Sequence, residues 1–225
     1  MAKIHLLQEK LKDERGKKVI FLSHCLLNEN TRYLGGACRK ACVDELVDEL
    51  QKQGIGIVQM KCPEQKTWGG VLKREMLMGY GIKGTILNAF RTPYMMYFIW
   101  KTKRSFKKIA QDVVSEIKDY MDSGFEVMGI IGIKGSPSCG VSASMDLKKS
   151  ADFVAQLDIE KINKVYVNDY FYKKCMVNKS GLFFNELKKE LSAHHVSVKF
   201  FEHDLLMEME GKVSHINFKE IECNH

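Results

Sequence analysis

Four short apolar runs along the chain predict the strands of a sheet. They cover residues 17–23, 55–60, 125–133 and 196–201 and are rich in valine, isoleucine and phenylalanine. Apolar residues mostly follow one another in these runs, which is typical of strands buried on both faces. Strands of this kind form parallel sheets that helices cover on both sides.

Apolar residues at helical spacing predict helices between these strands. The predicted helices cover residues 1–15, 37–53 and 105–123, and a further helix follows Ser180. A glycine directly after the second and the third marks where each ends. In the second helix Cys38 and Cys42 lie on the apolar stripe, so we interpret both as core residues.

The alternation of strands and helices predicts an α/β protein with a Rossmann-like parallel sheet flanked by helices. We expect residues 1–225 to form a single α/β domain, with insertions near 65–104 and 141–179. No glycine-rich dinucleotide fingerprint or Walker loop follows a predicted strand, which disfavours a nucleotide cofactor bound in the usual way.

Composition is that of an ordinary globular protein, with 45% hydrophobic and 28% charged residues. The longest apolar run, residues 94–100, is far shorter than the ~20 residues that a membrane helix needs. The N-terminus also lacks the apolar stretch of a signal peptide. We therefore expect a cytoplasmic protein with no membrane contact, and its oligomeric state stays open. Its seven cysteines are then expected to be reduced, either buried or bound to metal.

Positive charge is concentrated in residues 65–108. This segment has ten lysines and arginines against one glutamate, a net charge of +9, and it contains both tryptophans and six tyrosines and phenylalanines. Flat rings interleaved with cations suit a nucleotide or RNA, because rings stack on bases and cations bind phosphate. The alternative interpretation is a solvated basic face over a small aromatic core.

Three cysteines follow three of the predicted strands. Cys25, Cys62 and Cys139 each lie a few residues beyond a strand, and the carboxyl ends of parallel strands lie on one edge of a sheet. Because neighbouring strands are ~4.8 Å apart, loops from three of them can bring three sulfurs around one centre. Pro63 and Gly140 adjoin two of these cysteines and shape the loops that present them.

Three thiolates are compatible with a four-iron four-sulfur (4Fe-4S) cluster that keeps one iron open for catalysis. Structural zinc usually needs a fourth ligand and a close Cys-x-x-Cys pair, which the sequence lacks. The other interpretation is that all three cysteines are small buried hydrophobic residues. Spacing alone leaves these two interpretations open.

Three motifs resemble one known family, the thiouracil desulfidase (TudS-type) family. They are Cys25-Leu26-Leu27 followed by Arg32-Tyr33 and Gly35, then Cys62-Pro63-Glu64, then Ser136-Pro137-Ser138-Cys139-Gly140. The matches extend over residues 19–140. The chain departs from the family pattern at Asn28 and Leu34, and residues 65–70 replace its proline-rich stretch.

The resemblance implies a 4Fe-4S cluster on Cys25, Cys62 and Cys139, with the fourth iron unligated by protein. It also implies removal of sulfur from thiolated pyrimidines, with release of sulfide and no net redox change. This desulfidase reaction needs an acid or base beside the ring, and Glu64 is the carboxylate within the three motifs.

The same motifs contain further candidate site residues. Ser136 and Ser138 can donate hydrogen bonds to cluster sulfide or to substrate, or they simply cap their loop. Arg32 and Tyr33 are candidate substrate-binding residues, and Arg32 binds a phosphate or a carbonyl oxygen or ties down its own loop. For Glu64 the alternative role is a surface salt bridge.

The basic segment favours thiouridine monophosphate over free thiouracil as substrate and also allows thiolated RNA as a partner. Two other functions stay open. One is an RNA-binding module in which the cysteines are structural. The other is a cluster-containing electron carrier or sensor, with Cys38, Cys42 or Cys175 as fourth ligand.

Overall fold

The chain folds around a parallel sheet. The computed structural model describes residues 2–212, 214 and 216. Its strands are β1 (Lys18–Leu22), β2 (Gly56–Gln59), β3 (Glu126–Lys134), β4 (Ser144–Met145), β5 (Met176–Val177) and β6 (Phe200–Asp204). Four of them form the parallel sheet in the order β2-β1-β3-β6, and β4 pairs with β5 in a small antiparallel ribbon.

Helices follow most strands. In chain order the α-helices of the described residues are α1 (Ala2–Lys10), α2 (His24–Leu27), α3 (Asp44–Lys52), α4 (Pro63–Thr67), α5 (Arg74–Leu77), α6 (Ile86–Ala89), α7 (Arg91–Asp122), α8 (Leu147–Val154), α9 (Lys164–Tyr170), α10 (Leu182–Ala193) and α11 (Leu205–Met209). Short 3₁₀ turns occur at Glu29–Thr31 and Ile159–Lys161, and a π-helical turn at Phe171–Cys175. None of the described helices has the length and apolarity needed to cross a bilayer.

Both faces of the sheet are covered. Phe21 and Ile130 pack with α7 and α10 in one apolar cluster, whereas their neighbours Ile20 and Ile131 pack with α3 in a second. Successive residues of a strand point to opposite faces, so one run of apolar residues supplies both cores. The predicted Rossmann-like α/β architecture is confirmed.

Helix α7 is longer than predicted. It begins at Arg91 rather than near residue 105, with Pro93 in its first turn, where proline is tolerated. Its buried stripe includes Phe98, Thr102 and Phe106 at helical spacing. Thr102 interrupts the apolar pattern in the sequence, but its hydroxyl is buried and accepts a hydrogen bond from the Trp68 indole at 2.9 Å.

The segment around Cys38 and Cys42 is a loop, so the prediction that both lie on a core helix is wrong. Helix α3 begins only at Asp44. The backbone N–H groups of Cys38 and Arg39 donate to the carboxylate of Glu29 at 2.7 and 2.8 Å, which holds the loop out of helical geometry. As a result Cys38 is exposed and Cys42 is half-buried.

The last strand also lies further along the chain than predicted. Strand β6 begins at Phe200 rather than at residue 196. The backbone N–H of Val196 donates to the carbonyl of Leu191, and His195 adopts a positive φ of 55°. Residues 194–196 therefore close helix α10 and cannot start the strand.

Candidate functional site

The three strand-end cysteines lie in one cavity. Cys25 is in α2, directly after β1; Cys62 precedes α4, after β2; and Cys139 is in the loop after β3. These strands are neighbours in the sheet, with β1 between the other two. All three side chains line a cavity of about 750 Å³ at the carboxyl edge of the sheet.

Cys62 takes its position from the start of helix α4. It is the N-cap residue, and its sulfur accepts a hydrogen bond from the backbone N–H of Gln65 at 3.3 Å. Pro63 occupies the first helical position, where its missing N–H costs nothing. The Cys-Pro-Glu motif is thus a helix start that turns a sulfur toward the cavity and buries Glu64 two residues further on.

The loop that carries Cys139 is held by the N-terminus of α10. The first N–H groups of this helix donate to loop carbonyls, with Leu182 bonded to Pro137 at 2.9 Å and Phe183 to Ser138 at 3.1 Å. The loop approaches Gly181 so closely that a Cβ there would lie 2.4 Å from the Ser138 carbonyl oxygen. Phe183 and Phe184 of this helix lie in the core, so these hydrogen bonds tie the loop to the core.

Burial is the main cause of the raised pKa values of the three thiols. Burial, together with the nearby Glu64 and Cys25, raises the pKa of Cys62 to about 12. Burial and the nearby Cys25 raise the pKa of Cys139 well above its ordinary value. Burial also raises the pKa of Cys25, although Arg32 and Lys73 oppose that rise. The thiols therefore need a bound cationic centre to become thiolates at neutral pH.

Glu64 is the centre of a buried polar chain beside the cysteines. Its Oε1 accepts a hydrogen bond from the Ser138 hydroxyl at 2.7 Å, and its Oε2 lies 2.8 Å from the Lys73 ammonium. Burial lowers the pKa of Lys73, but the adjacent Glu64 carboxylate more than compensates and raises it above its ordinary value. Lys73 therefore carries a positive charge.

The two serines are linked to each other. The Ser136 and Ser138 hydroxyl oxygens are 3.2 Å apart, and the Ser138 oxygen is 3.5 Å from the Cys139 sulfur. Ser136 also caps its loop, because its hydroxyl oxygen accepts the backbone N–H of Cys139 at 3.0 Å. Both serines line the cavity.

Arg32 lines the cavity but is already engaged. Its guanidinium lies 3.2 Å from the Glu29 carboxylate and 3.0 Å from that of Glu208, and all three side chains are buried. In the structure Arg32 therefore ties the loop after Cys25 to helix α11. Its predicted contact with substrate stays a prediction.

Tyr33 follows Arg32 on the same wall of the cavity. Its hydroxyl donates to the Asn168 side chain at 3.0 Å, and its ring packs edge to face on Phe171. Burial raises the pKa of Tyr33 to about 12, so the phenol is neutral. It can offer an aromatic face to a ligand, and its role in binding stays a prediction.

The donor set fits an iron–sulfur cluster. Cys25, Cys62 and Cys139 are free of disulfides. Within residues 2–212, 214 and 216, no three His, Cys, Asp or Glu side chains converge on a single metal ion. A four-iron cluster is wider than one ion, so its ligands lie further apart than those of a mononuclear site. Three thiols on adjacent strand ends are suited to the wider group.

The other described cysteines lie outside the cavity. Cys38 and Cys42 are in the loop before α3, and Cys175 is fully buried in a cluster with Met145 and Phe153. Cys223 lies outside the described residues. Among the described residues, therefore, no fourth cysteine faces the three that line the cavity.

Lys73 is a site residue that the sequence analysis missed. The sequence indicates it only as one cation of the basic segment, yet its side chain is 6% exposed and pairs with Glu64. Its position depends on the turn at Gly69 and Gly70, both with positive φ, which folds the chain back onto α4. The Gly-Gly pair in the sequence indicates a turn, but the spacing of the residues does not show that this turn brings Lys73 to Glu64.

Most of the basic segment faces away from the cavity. Of its ten cations only Lys73 and Arg91 line the cavity, and Arg91 is 3.0 Å from the carboxylate of Asp152. On the outer face of α7 the exposed rings of Tyr97 and Trp100 lie 6.1 Å apart, with the Arg104 guanidinium 6.0 Å from the Trp100 ring.

Comparison with known proteins gives one distant likeness. No family model matches the chain, and no solved structure matches it. The chain is similar to the uncharacterized protein MJ0003 of Methanocaldococcus jannaschii, with 22% identity over 149 residues, which are 66% of this chain and 82% of that protein. The name of that protein states no activity, so the function of this chain is inferred from its own site.

Proposed function

We propose that this protein removes sulfur from a thiolated pyrimidine and releases it as sulfide, with a 4Fe-4S cluster held by Cys25, Cys62 and Cys139. The observation that carries the proposal is the meeting of these three thiols with a buried acid–base group, Glu64, in one cavity. The absence of a fourth cysteine from that cavity, among the described residues, favours catalysis over electron transfer.

The cluster, when bound, supplies an iron without a protein ligand, a Lewis acid suited to the soft sulfur of a thiocarbonyl. The protein supplies the proton chemistry. Glu64 accepts a proton from water as the water oxygen bonds to the thiocarbonyl carbon. The second proton passes from the new hydroxyl group to sulfur as the carbon–sulfur bond breaks. The electron pair of that bond stays on sulfur, which leaves as hydrosulfide, and the ring keeps the new oxygen as a carbonyl. Glu64 then releases its proton to solvent. Water and the thiocarbonyl become sulfide and a carbonyl, with no net oxidation or reduction.

Neighbouring groups prepare Glu64 for this role. The Lys73 ammonium at 2.8 Å balances its charge, and the Ser138 hydroxyl at 2.7 Å fixes its orientation. Ser136 lies 3.2 Å from Ser138 and extends the hydrogen-bonded chain, which offers a route for protons between Glu64 and the cavity.

The proposal is tested by anaerobic reconstitution with iron and sulfide, followed by incubation with thiouracil, thiouridine and thiouridine monophosphate. Sulfide release and loss of the thiocarbonyl absorption are measured. Replacing Cys25, Cys62 or Cys139 by serine should lower both bound iron and sulfide release, whereas Cys42→Ser should change neither. If the three serine variants bind as much iron as wild type, the cluster assignment fails.

Glu64→Gln tests the acid–base role separately from the cluster. It should lower kcat by roughly 10²–10⁴-fold and leave the cluster absorption unchanged. Glu75→Gln is the matched control, because Glu75 lines the same cavity but pairs with Lys101 at 2.6 Å. Equal kcat values for the two variants would show that Glu64 takes no part in proton transfer.

A second candidate function is favoured by the outer face of α7. The exposed rings of Tyr97 and Trp100 and the adjacent Arg104 offer stacking surfaces and charge to single-stranded RNA. Trp100→Ala should weaken binding of a single-stranded RNA in an anisotropy titration. Tyr166→Ala, an exposed aromatic of α9, is the control, and equal losses from both would argue against an RNA site on α7.

A further inference from the structure

The cavity has a small polar floor and large apolar walls. The floor holds the three cysteines with Glu64 and Ser138, and the walls above it are built from residues of α5 to α9. Wall side chains include Met76, Leu87, Phe90, Met95, Val154 and Ile162. A volume of about 750 Å³ lies within the range of pockets that enclose drug-sized molecules, and a single pyrimidine ring fills only a small part of it.

Three of the four lysines and arginines that line the cavity are already paired with carboxylates. Arg32, Lys73 and Arg91 line it, and each is paired with at least one carboxylate. Lys164 also lines it, has no carboxylate partner among the described residues, and is exposed to solvent. A phosphate that entered would lose its hydration without meeting an unpaired buried cation, which is unfavourable.

We infer that the substrate is an uncharged thiolated ring that carries a bulky apolar group, alkyl or aromatic, and no phosphate. The inference rests on the proposed desulfidase function and assigns the substrate class of that same site. The thiocarbonyl lies on the cysteine floor beside Glu64, and the apolar group packs against the walls. Burial of the apolar group supplies the binding free energy that a bare pyrimidine cannot obtain here.

Three substrates distinguish this inference from its alternatives: thiouracil, thiouracil with a benzyl group on the ring, and thiouridine monophosphate. With the reconstituted protein, the benzyl compound should show a KM at least about tenfold below that of thiouracil, because its phenyl ring leaves water on binding. Calorimetry of the same protein should give a negative heat-capacity change on binding of the benzyl compound, the signature of apolar burial.

A matched pair of variants on α6 locates the effect. Leu87 lines the cavity, whereas its neighbour Ile86 does not, and both side chains are more than half exposed, so neither change should affect folding. Leu87→Gln should raise the KM for the benzyl compound roughly threefold and leave that for thiouracil unchanged. Ile86→Gln should alter neither value.

The Lys164→Ala variant tests whether the cavity binds the phosphate group of a substrate. We expect it to leave turnover of all three compounds unchanged. A lower KM for thiouridine monophosphate than for the benzyl compound, lost in Lys164→Ala, would overturn the inference and make Lys164 a phosphate ligand. A benzyl compound that binds no better than thiouracil by calorimetry would overturn it as well. If no compound releases sulfide, the desulfidase function fails, while calorimetry still reports which ligand the cavity prefers.

Discussion

Replacing Lys73 by methionine tests the buried ion pair at the floor of the cavity. The Lys73 ammonium is 2.8 Å from the Glu64 carboxylate, and the two side chains are 6% and 10% exposed. Methionine keeps much of the length of lysine and removes its charge, which leaves Glu64 buried with Ser138 as a hydrogen-bond donor. Removing one partner of a buried ion pair costs about 3–5 kcal/mol. Because Ser138 remains, we expect the lower end of that range.

The free energy of unfolding is measured by urea denaturation of the cluster-free protein under anaerobic, reducing conditions. Lys73→Met combined with Glu64→Leu removes both charges and should recover about 2 kcal/mol of the loss. Lys101→Met is the control, because its pair with Glu75 is 35% and 28% exposed and should contribute below about 1 kcal/mol. If Lys73→Met costs no more than Lys101→Met, the Glu64–Lys73 pair is not the buried interaction described above.

Two further predictions concern the supports of the site. Burial raises the pKa of Glu208, but hydrogen bonds from His203 and Arg32 outweigh the effect of burial and hold that pKa well below the ordinary 4.5. The carboxylate of Glu208 therefore stabilises the fold above pH 4.5, and this stabilisation is lost as the pH falls. Glu208→Gln should flatten the loss of unfolding free energy in acid, and curves of equal slope would contradict this. Gly181→Ala would place a Cβ 2.4 Å from the Ser138 carbonyl oxygen and should lower the iron bound per chain after reconstitution, whereas wild-type iron content would contradict the clamp described for this loop.

The positions of β1, β2 and β3 were predictable because apolar residues are concentrated in each of them. The same pattern predicted that residues after β1, β2 and β3 share one edge of the sheet, since parallel strands have a common direction. That rule alone predicts that Cys25, Cys62 and Cys139 lie at the same edge of the sheet. The order β2-β1-β3, which makes Cys25 the middle member, depends on how the crossovers pack and was not readable from spacing.

Polar contacts between distant segments were not predictable. Lys73 contacts Glu64 because the turn at Gly69 and Gly70 folds the chain back. Thr102 interrupts the apolar pattern of α7 in the sequence, and the hydrogen-bond partner that allows its burial, Trp68, lies in another part of the chain. Glu29 likewise draws the backbone at Cys38 into a loop, although that residue lies on an apparent helical stripe. In each case a side chain far away in sequence overrides the local pattern.

Floor and walls of the cavity come from different parts of the chain. The floor with the three cysteines is built on the turns and helix starts that leave the central sheet, whereas the walls come from the segment that runs from α5 to α9. Substitutions in those helices can reshape what fits above the thiols without disturbing the turns beneath. Chains that share these turns and differ in the helices can therefore differ in ligand choice while keeping the same three thiols.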